Sequence, residues 1–322
     1  MVKIGIAYDT PEMYNLQSDR IYFDFAEQAS IDEVRSSLIK SGYQVDLVGN
    51  SKRILELIQA NHFNYDIIYN TVEGVGTRNR EGLVPAILEA YGIPYIGTDS
   101  FGLSLTLNKM MTKLLAEKNG IITPPYYFAE LSATYDEVFN GLKDLHMPVI
   151  LKPNFEGNSS GICVKDEISD AARCVIELME KYKTDILCEE FIPGTEITVP
   201  MIGNGSDMLS VATTVDIQNS EDFWLDINCK VFGDYKNVLI KNKNLSTKLI
   251  ELSKKLFYAI GCHDFARFDY RVNNNNIFFI EANPLPALFQ GGSFDVLGQS
   301  IGLNYDDTLR LIIETSRKRL GI

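Results

Sequence analysis

The sequence predicts an α/β protein built from two or three domains. It has 322 residues with 45% hydrophobic content, which is enough for more than one buried core. Strand and helix patterns alternate over residues 1–97, an order typical of a parallel sheet covered by helices. From Glu196 onward strand patterns dominate until a helix pattern at 246–260, and the chain ends in a further helix pattern. We therefore expect a parallel layer over residues 1–97 and a strand-rich segment, with helices, toward the end of the chain.

The N-terminal layer begins with an apolar run at residues 2–8, followed by a turn signal, which predicts the first strand. The next elements are expected as a helix at 31–38, strands at 44–48 and 65–69, a helix at 84–91 and a strand at 93–97. Between Asp9 and Glu27 lies a polar stretch with four aromatic residues. A connection this long is either a functional lid or a surface loop without a role.

The remainder of the chain predicts a single helix at 103–118, which ends at an Asn-Gly pair before two prolines. Further along, strands are expected at 148–153, 162–164 and 186–191, and helices at 168–182 and near 305–320.

Composition excludes several classes of partner. The net charge is −13 and the pI is near 4.8, so nucleic acid and anionic membrane surfaces are not expected as partners. No apolar run approaches the roughly 20 residues that span a bilayer. The five cysteines have no metal-ligand spacing and mostly apolar neighbours, which indicates reduced thiols of a cytoplasmic protein. The three histidines also lack ligand spacing, so a histidine zinc site is not expected.

Two C-terminal strands carry the most informative motif. Arg267 and Asp269 lie two residues apart, which places them on one face of a strand, and the next strand ends in Glu281 and Asn283. Carboxylate and amide oxygens are ligands that Mg²⁺ prefers, with phosphate and water completing the shell. A cation beside such a metal site suits a reaction that moves phosphate. The alternative is two buried strands with a polar end.

A second motif follows a buried strand that ends at Lys152. Glycine and serine residues there let backbone N–H groups surround an anion, and a lysine can meet phosphate as a point charge. An ordinary β-turn would have a similar sequence. Adenine could bond the extended segment 188–192, with Glu196 on a ribose, although such acids are usually solvated. Lys109 and Lys113 share a helical face. This face is either a further candidate for binding phosphate or a solvated surface without a role.

In this order the motifs resemble the ATP-grasp superfamily and, within it, the D-alanine–D-alanine ligase family, over nearly the whole chain. The clearest stretches are residues 92–97, residues 106–109, residues 149–153 with Glu156 and Gly157, Gly194 with Glu196, and Arg267 and Asp269 with residues 281–283. The resemblance implies a three-domain ATP-grasp fold: a substrate domain at residues 1–100, a central subdomain at 101–192 and a C-terminal catalytic subdomain at 193–322.

The resemblance also implies roles for individual residues. Two magnesium ions, with Mn²⁺ as an alternative, would bind Asp269, Glu281 and Asn283. Arg267 and Lys230 would stabilise the reacting groups, and Glu27 would match the acid that holds the first amino group. The implied ATP-binding residues are Lys109, Lys152, Glu156, Gly157, Asn158, Ser159, Ser160, Gly161, Glu189, Glu190, Ile192 and Glu196.

Departures from the family pattern concentrate at the amino-acid subsites. Asn158 replaces a serine, Val231 replaces an aromatic residue, and the family's His-Gly and Glu-Asp-Gly motifs are absent. Arg78 and Arg80 would either pair with a substrate carboxylate or cap the helix near Gly82. The other implied substrate residues are Glu73, Gly291, Gly292 and Ser293.

We therefore expect an ATP-dependent ligase that joins a carboxylate to an amine through an acyl phosphate, with amino acids or short peptides as substrates. The alternatives are a genuine D-alanine–D-alanine ligase, a phosphotransferase acting on an alcohol, and a catalytically silent nucleotide-binding module. A homodimer is implied by the resemblance alone.

Overall fold

The N-terminal sheet is parallel, as the alternating patterns predict. The computed structural model describes residues 1–14, 25, 28–157, 159–217, 235–274 and 276–322. The sheet has the order β2-β1-β3-β4, and its strands are β1 (Lys3–Ala7), β2 (Gln44–Gly49), β3 (Ile67–Asn70) and β4 (Tyr95–Ile96). Its helices are α1 (Gln28–Lys40), α2 (Ser51–Gln59) and α3 (Leu83–Ala90). Short 3-10 turns lie at Pro11–Tyr14 and Arg80–Gly82.

The next segment corrects one prediction. The single helix expected at 103–118 is two helices, α4 (Ser100–Leu107) and α5 (Lys109–Lys118). Asn108 separates them in an extended conformation, and its side chain accepts a hydrogen bond from the Met111 amide at 3.1 Å. Asparagine favours such caps because its side chain replaces the missing backbone acceptor. The break makes Lys109 the first residue of a helix.

The central sheet is antiparallel, with the order β5-β8-β6-β7. Its strands are β5 (Tyr126–Ala129), β6 (Val149–Pro153), β7 (Cys163–Lys165) and β8 (Ile186–Glu190). Two helices cover it, α6 (Tyr135–Gly141) and α7 (Ile168–Tyr182), and a 3-10 turn at Leu142–Asp144 follows α6. The apolar face of α7 packs on the sheet through Ala171, Val175 and Leu178. This burial holds β6 and β8 side by side.

The third sheet is also antiparallel, with the order β12-β11-β9-β13-β14 and β10 paired to β9. Its strands are β9 (Thr195–Ile202), β10 (Leu209–Ser210), β11 (Thr213–Ile217), β12 (Tyr235–Leu239), β13 (Phe265–Asn273) and β14 (Asn276–Asn283). The remaining helices are α8 (Lys243–Ile260), α9 (Ser293–Ser300) and α10 (Tyr305–Leu320). The predicted α/β class, a parallel layer followed by two layers of sheet and helix, is confirmed.

Hydrophobic cores cross the predicted domain limits. Ile4 and Ile6 of β1 share a core with Leu309 and Ile312 of the C-terminal helix. Ala116 of α5 packs with the third sheet. Each predicted domain thus contains one sheet, while the limits at residues 100 and 192 stay predictions. Among the described residues, every helix is too short or too polar to cross a membrane.

Candidate active site

The hairpin of β13 and β14 brings four polar side chains together. In its register Arg267 faces Asn283, and Asp269 faces Glu281. The Arg267 guanidinium donates to Asp269 at 2.9 to 3.2 Å, and its Nη2 lies 3.9 Å from Glu281 Oε1. Asn283 Nδ2 donates to Asp269 Oδ2 at 3.1 Å and to Glu281 Oε1 at 3.4 Å. The two halves of the predicted motif therefore form one cluster.

The charge in this cluster favours a bound cation. Asp269 is buried, which raises its pKa to about 6; Arg267 opposes the rise and Glu281 adds to it. Two carboxylates this close repel one another, and an added cation relieves the repulsion. The available oxygen donors belong to the type that hard divalent cations prefer. The residues present fit a magnesium site.

A buried ion triad lies on the central sheet. Glu189 of β8 lies 2.5 Å from Lys113 Nζ and 2.6 Å from Lys152 Nζ, through its two oxygens. Burial raises the pKa of Glu189, but the two ammonium groups more than offset this and hold it below its usual value. Burial lowers the pKa of Lys113, with Glu189 opposing. Two cations and one anion leave net positive charge at this wall.

Lys109 is fixed by the break between α4 and α5. The side chain of Asn154, which follows β6, accepts from the Met110 amide at 3.0 Å and donates to Asn108 Oδ1 at 3.1 Å. The Lys109 ammonium donates to the Glu156 carbonyl, at the start of the loop 156–161. A predicted phosphate-binding lysine thus touches the predicted phosphate-binding loop.

The loop returns to the sheet through a position that requires glycine. Gly161 has φ of +72°, and a Cβ there would lie 2.7 Å from both Pro153 and the Tyr182 ring. Larger residues would meet strain and steric conflict at this turn.

Arg80 reaches the same loop from the N-terminal layer. It is buried, and its guanidinium donates to the carbonyl of Phe155, immediately before Glu156. Arg78, its alternative in the sequence analysis, is exposed. The structure therefore separates the two arginines: Arg80 joins the N-terminal layer to the loop, and Arg78 faces solvent.

Asp9, which follows β1, organises the turn after β3. Its carboxylate accepts from the amides of Glu73 at 3.1 Å and Gly74 at 2.8 Å, and from the Tyr14 hydroxyl at 2.8 Å. Burial raises the pKa of Asp9, although these hydrogen bonds act against the rise. Because parallel strands end at one edge of a sheet, Asp9 and this turn meet there.

Arg271 is a residue that sequence reasoning missed. Its guanidinium donates to the carbonyls of Ile192 at 3.4 Å and Gly194 at 3.3 Å, and to Glu196 at 3.2 Å. It therefore fixes the connection between β8 and β9, where adenine and ribose contacts are predicted. Its spacing of two from Asp269 is the signal that places it on the same face of β13. Lys113, noted in the sequence but not chosen, is the other omission.

Two connected cavities surround these groups. The first has a volume of about 300 Å³. The site residues predicted from the sequence that line it are Lys109, Lys152, Glu156, Gly157, Ser159, Ser160, Glu189, Glu190, Ile192, Glu196, Arg267, Asp269, Glu281 and Ser293. The second, of about 130 Å³, is lined by Glu73, Glu81, Asn283 and residues 284–287, and it shares Lys109, Glu156, Arg267 and Glu281 with the first. Arg267 and Glu281 thus lie where the cavities join.

Some predicted residues are not part of these walls. Glu27, Asn158 and Lys230 lie outside the described residues. The other predicted residues absent from the walls of both cavities are Gly161, Arg78, Arg80, Gly291 and Gly292. The substrate roles of Arg78, Arg80, Gly291 and Gly292 stay predictions.

Comparison with known proteins identifies the family. The sequence model described as "D-ala D-ala ligase C-terminus" matches residues 115–314, which include Lys152 and Glu189 of the ion triad and the whole β13–β14 cluster. The chain belongs to the D-alanine–D-alanine ligase family. It is accordingly an ATP-dependent ligase with the ATP-grasp fold, as the motifs predict.

The relatives span nearly the whole chain. A D-alanine–D-alanine ligase of Carboxydothermus hydrogenoformans is 28% identical over 297 residues, covering 88% of this chain and 90% of the relative. The solved D-alanine–D-alanine ligase from Bacillus anthracis, complexed with ATP, has a TM-score of 0.76 at 21% identity, over 99% of this chain and 98% of that one. The VanG D-Ala:D-Ser ligase from Enterococcus faecalis has a TM-score of 0.71 at 19% identity, over 98% and 99%. The structural likenesses support the fold.

Proposed function

We propose that this ligase activates the carboxylate of an amino acid or short peptide with ATP and joins it to an amine. The observation that carries the proposal is the cluster of Arg267, Asp269, Glu281 and Asn283 at the junction of the two cavities. ATP would occupy the larger cavity, with its phosphates toward Lys109 and Lys152. The reacting carboxylate and amine would enter from the smaller cavity.

The nucleotide would be oriented by the connection between β8 and β9. The amides of Glu190 and Phe191 already donate to the carbonyls of Pro125 and Pro148, each at 2.9 Å. Adenine would bond the backbone of residues 190–192, as the family resemblance implies. Glu196, held by Arg271, would accept from the ribose hydroxyls.

Asp269, Glu281 and Asn283 would hold two Mg²⁺ ions, with Mn²⁺ as an alternative. Asn283 now presents its Nδ2 to the carboxylates, and a half-turn of its amide would present the oxygen to a cation instead. Bound metal would supply neutralisation of phosphate charge.

The proposed reaction has two steps, a phosphoryl transfer and an acyl transfer. A carboxylate oxygen attacks the γ-phosphorus, the bond to the β-phosphate oxygen breaks, and an acyl phosphate and ADP form. The amine then attacks the carbonyl carbon, phosphate leaves, and the amine loses a proton. Arg267 would stabilise negative charge on the reacting oxygens. The loop 156–161, which Lys109 contacts at Glu156 and Arg80 adjoins at Phe155, would exclude water that hydrolyses the acyl phosphate.

The test is ADP release with Mg-ATP over a panel of D- and L-amino acids and dipeptides, with mass spectrometry of the products. ADP together with a new amide supports the proposal, and D-alanyl-D-alanine as the main product would make the chain a D-alanine–D-alanine ligase in specificity. A phosphorylated alcohol without an amide would establish the phosphotransferase alternative. Absence of turnover throughout would favour a silent nucleotide-binding module. A homodimer remains an expectation.

A further inference from the structure

A third, small cavity of about 50 Å³ lies where the N-terminal sheet meets the segment after β14. Its walls are apolar at Ile6, Ile31, Val34 and Leu285, and polar at Ser30, Asn70, Thr71 and Glu73. Glu73 and residues 285–287 also line the second cavity, so the two spaces adjoin. A group that enters from the reaction site could therefore extend into this space.

Asn70, the last residue of β3, lines this cavity and has a buried side-chain amide. Asn70 is 3% exposed, and its Oδ1 accepts from the Val72 amide at 3.2 Å. Exchanging the nitrogen and oxygen would set two N–H groups against each other, so this contact fixes the amide orientation. Its Nδ2 is buried and has no hydrogen-bond partner in the described part of the chain. A buried donor without a partner destabilises a protein, and functional sites are where such groups are retained.

We propose, on the basis of the ligase function above, that this cavity binds the side chain of the amino acid whose carboxylate is activated. The preferred side chain has an apolar stem and a neutral terminal carbonyl oxygen, as in a carboxamide. That oxygen accepts the hydrogen bond from Asn70 Nδ2.

The size of the cavity and the charge of its walls define the class of side chain that it would accept. The volume has room for about three to four water-sized atoms, which exceeds a methyl group. The apolar walls disfavour a charged stem. A side-chain carboxylate would be repelled by Glu73, whereas a carboxamide carries the acceptor without the charge.

Leucine and asparagine provide a matched pair of probes, because their side chains have nearly the same shape and differ in the carboxamide. The experiment measures kcat/KM for amide formation with alanine, leucine, asparagine and aspartate, in both configurations, as the activated substrate. We expect asparagine of one configuration to exceed the other three by at least about tenfold, because a site with a buried donor rejects analogues that lack the acceptor.

Two variants test the named residues. Asn70→Asp keeps the acceptor for the Val72 amide and removes the donor, so it should abolish the preference for asparagine over leucine at pH 8. Ser30→Leu adds bulk from a half-buried wall residue of the first turn of α1, and it should shift preference toward alanine. Ser36→Leu, at an exposed position of the same helix, is the matched control and should leave the preference unchanged.

The outcomes separate the two proposals. Equal use of leucine and asparagine would mean that Asn70 Nδ2 meets only water, and this inference would be wrong while the ligase function stands. Alanine as the best substrate in the wild type, with no response to Ser30→Leu, would have the same meaning. Absence of an amide with every substrate would overturn the ligase function and this inference together.

Discussion

Lys152 Nζ lies 2.6 Å from Glu189 Oε2 on the adjacent strand, and both side chains are almost completely buried. Lys113 occupies the other carboxylate oxygen at 2.5 Å. A lysine predicted to meet ATP phosphate is therefore held by an internal counter-charge before ATP arrives. Glu189, which the family resemblance assigns to adenine, also positions the cation.

Replacement of Glu189 by glutamine should destabilise the protein. The change keeps the shape but leaves Lys113 and Lys152 without their anion in a buried place, which costs about 3 kcal/mol. Thermal unfolding should show a lower midpoint than the wild type. Glu177→Gln, at an exposed position of α7, is the control and should change stability by less than about 0.5 kcal/mol. Equal midpoints for the two variants would contradict a structural role for the triad.

Loss of a metal ligand should abolish turnover without unfolding the chain. Glu281→Gln and Asn283→Ala should each lower kcat with Mg-ATP by at least about 100-fold, because the phosphate charge would lose its stabilisation. The measurements are ADP release and the unfolding midpoint. Asn276→Ala changes an exposed residue at the far end of the same strand and should retain full activity. Full activity in Glu281→Gln or Asn283→Ala would remove that residue from the metal site.

Alanine substitutions of Arg80 and Arg78 should differ in their effect on kcat/KM for ATP. Arg80→Ala removes a donor to the Phe155 carbonyl and loosens the loop, so kcat/KM for ATP should fall by about tenfold or more. Arg78→Ala, its exposed neighbour, should have little effect. Steady-state kinetics with each substrate varied in turn provide the test. A rise confined to the KM of the amino acid in Arg80→Ala would instead support a carboxylate-binding role.

Local signals and family motifs predicted much of the fold and site. The last helix occupies Tyr305–Leu320 as expected, since Asn304 caps its start and Gly321 takes the left-handed conformation at its end. The β13–β14 cluster could also be predicted from the sequence, because residues two apart on a strand share a face. Such signals act within a few residues of the chain.

The sequence offered less guidance where contacts join distant segments. Lys113, Lys152 and Glu189 come from three elements, so nothing local indicates that they meet. The helix α2 is amphipathic but short, and its periodicity is easily missed. Asn108 caps α5 locally, and its side chain also accepts a hydrogen bond from Asn154, which lies 46 residues away.

Cys163 should be the most reactive of the four cysteines in the described residues. A hydrogen bond from Cys174 lowers its pKa to about 6, against the effect of burial and with help from Lys165 and Lys181. Burial contributes to a raised pKa at Cys188 and Cys262. The thiolate is the nucleophile, and it forms as the pH rises through the pKa of the thiol. Reactivity therefore rises over the same pH range.

The rate of iodoacetamide labelling at Cys163 should therefore rise with a midpoint near pH 6, read by mass spectrometry of the peptide that contains it. Cys174→Ala removes the donor and should move the midpoint upward. A midpoint near the ordinary thiol value of about 8.5 in the wild type would contradict the assigned hydrogen bond.

The most direct test of the proposed chemistry follows one oxygen atom. An amino acid that the enzyme accepts is labelled with ¹⁸O in its carboxylate and incubated with Mg-ATP and the amine, and the released phosphate is analysed by mass spectrometry. Activation through an acyl phosphate transfers one labelled oxygen to phosphate in each turnover, and we expect this result. Amide formation with unlabelled phosphate, or phosphate retained on the organic product, would contradict it.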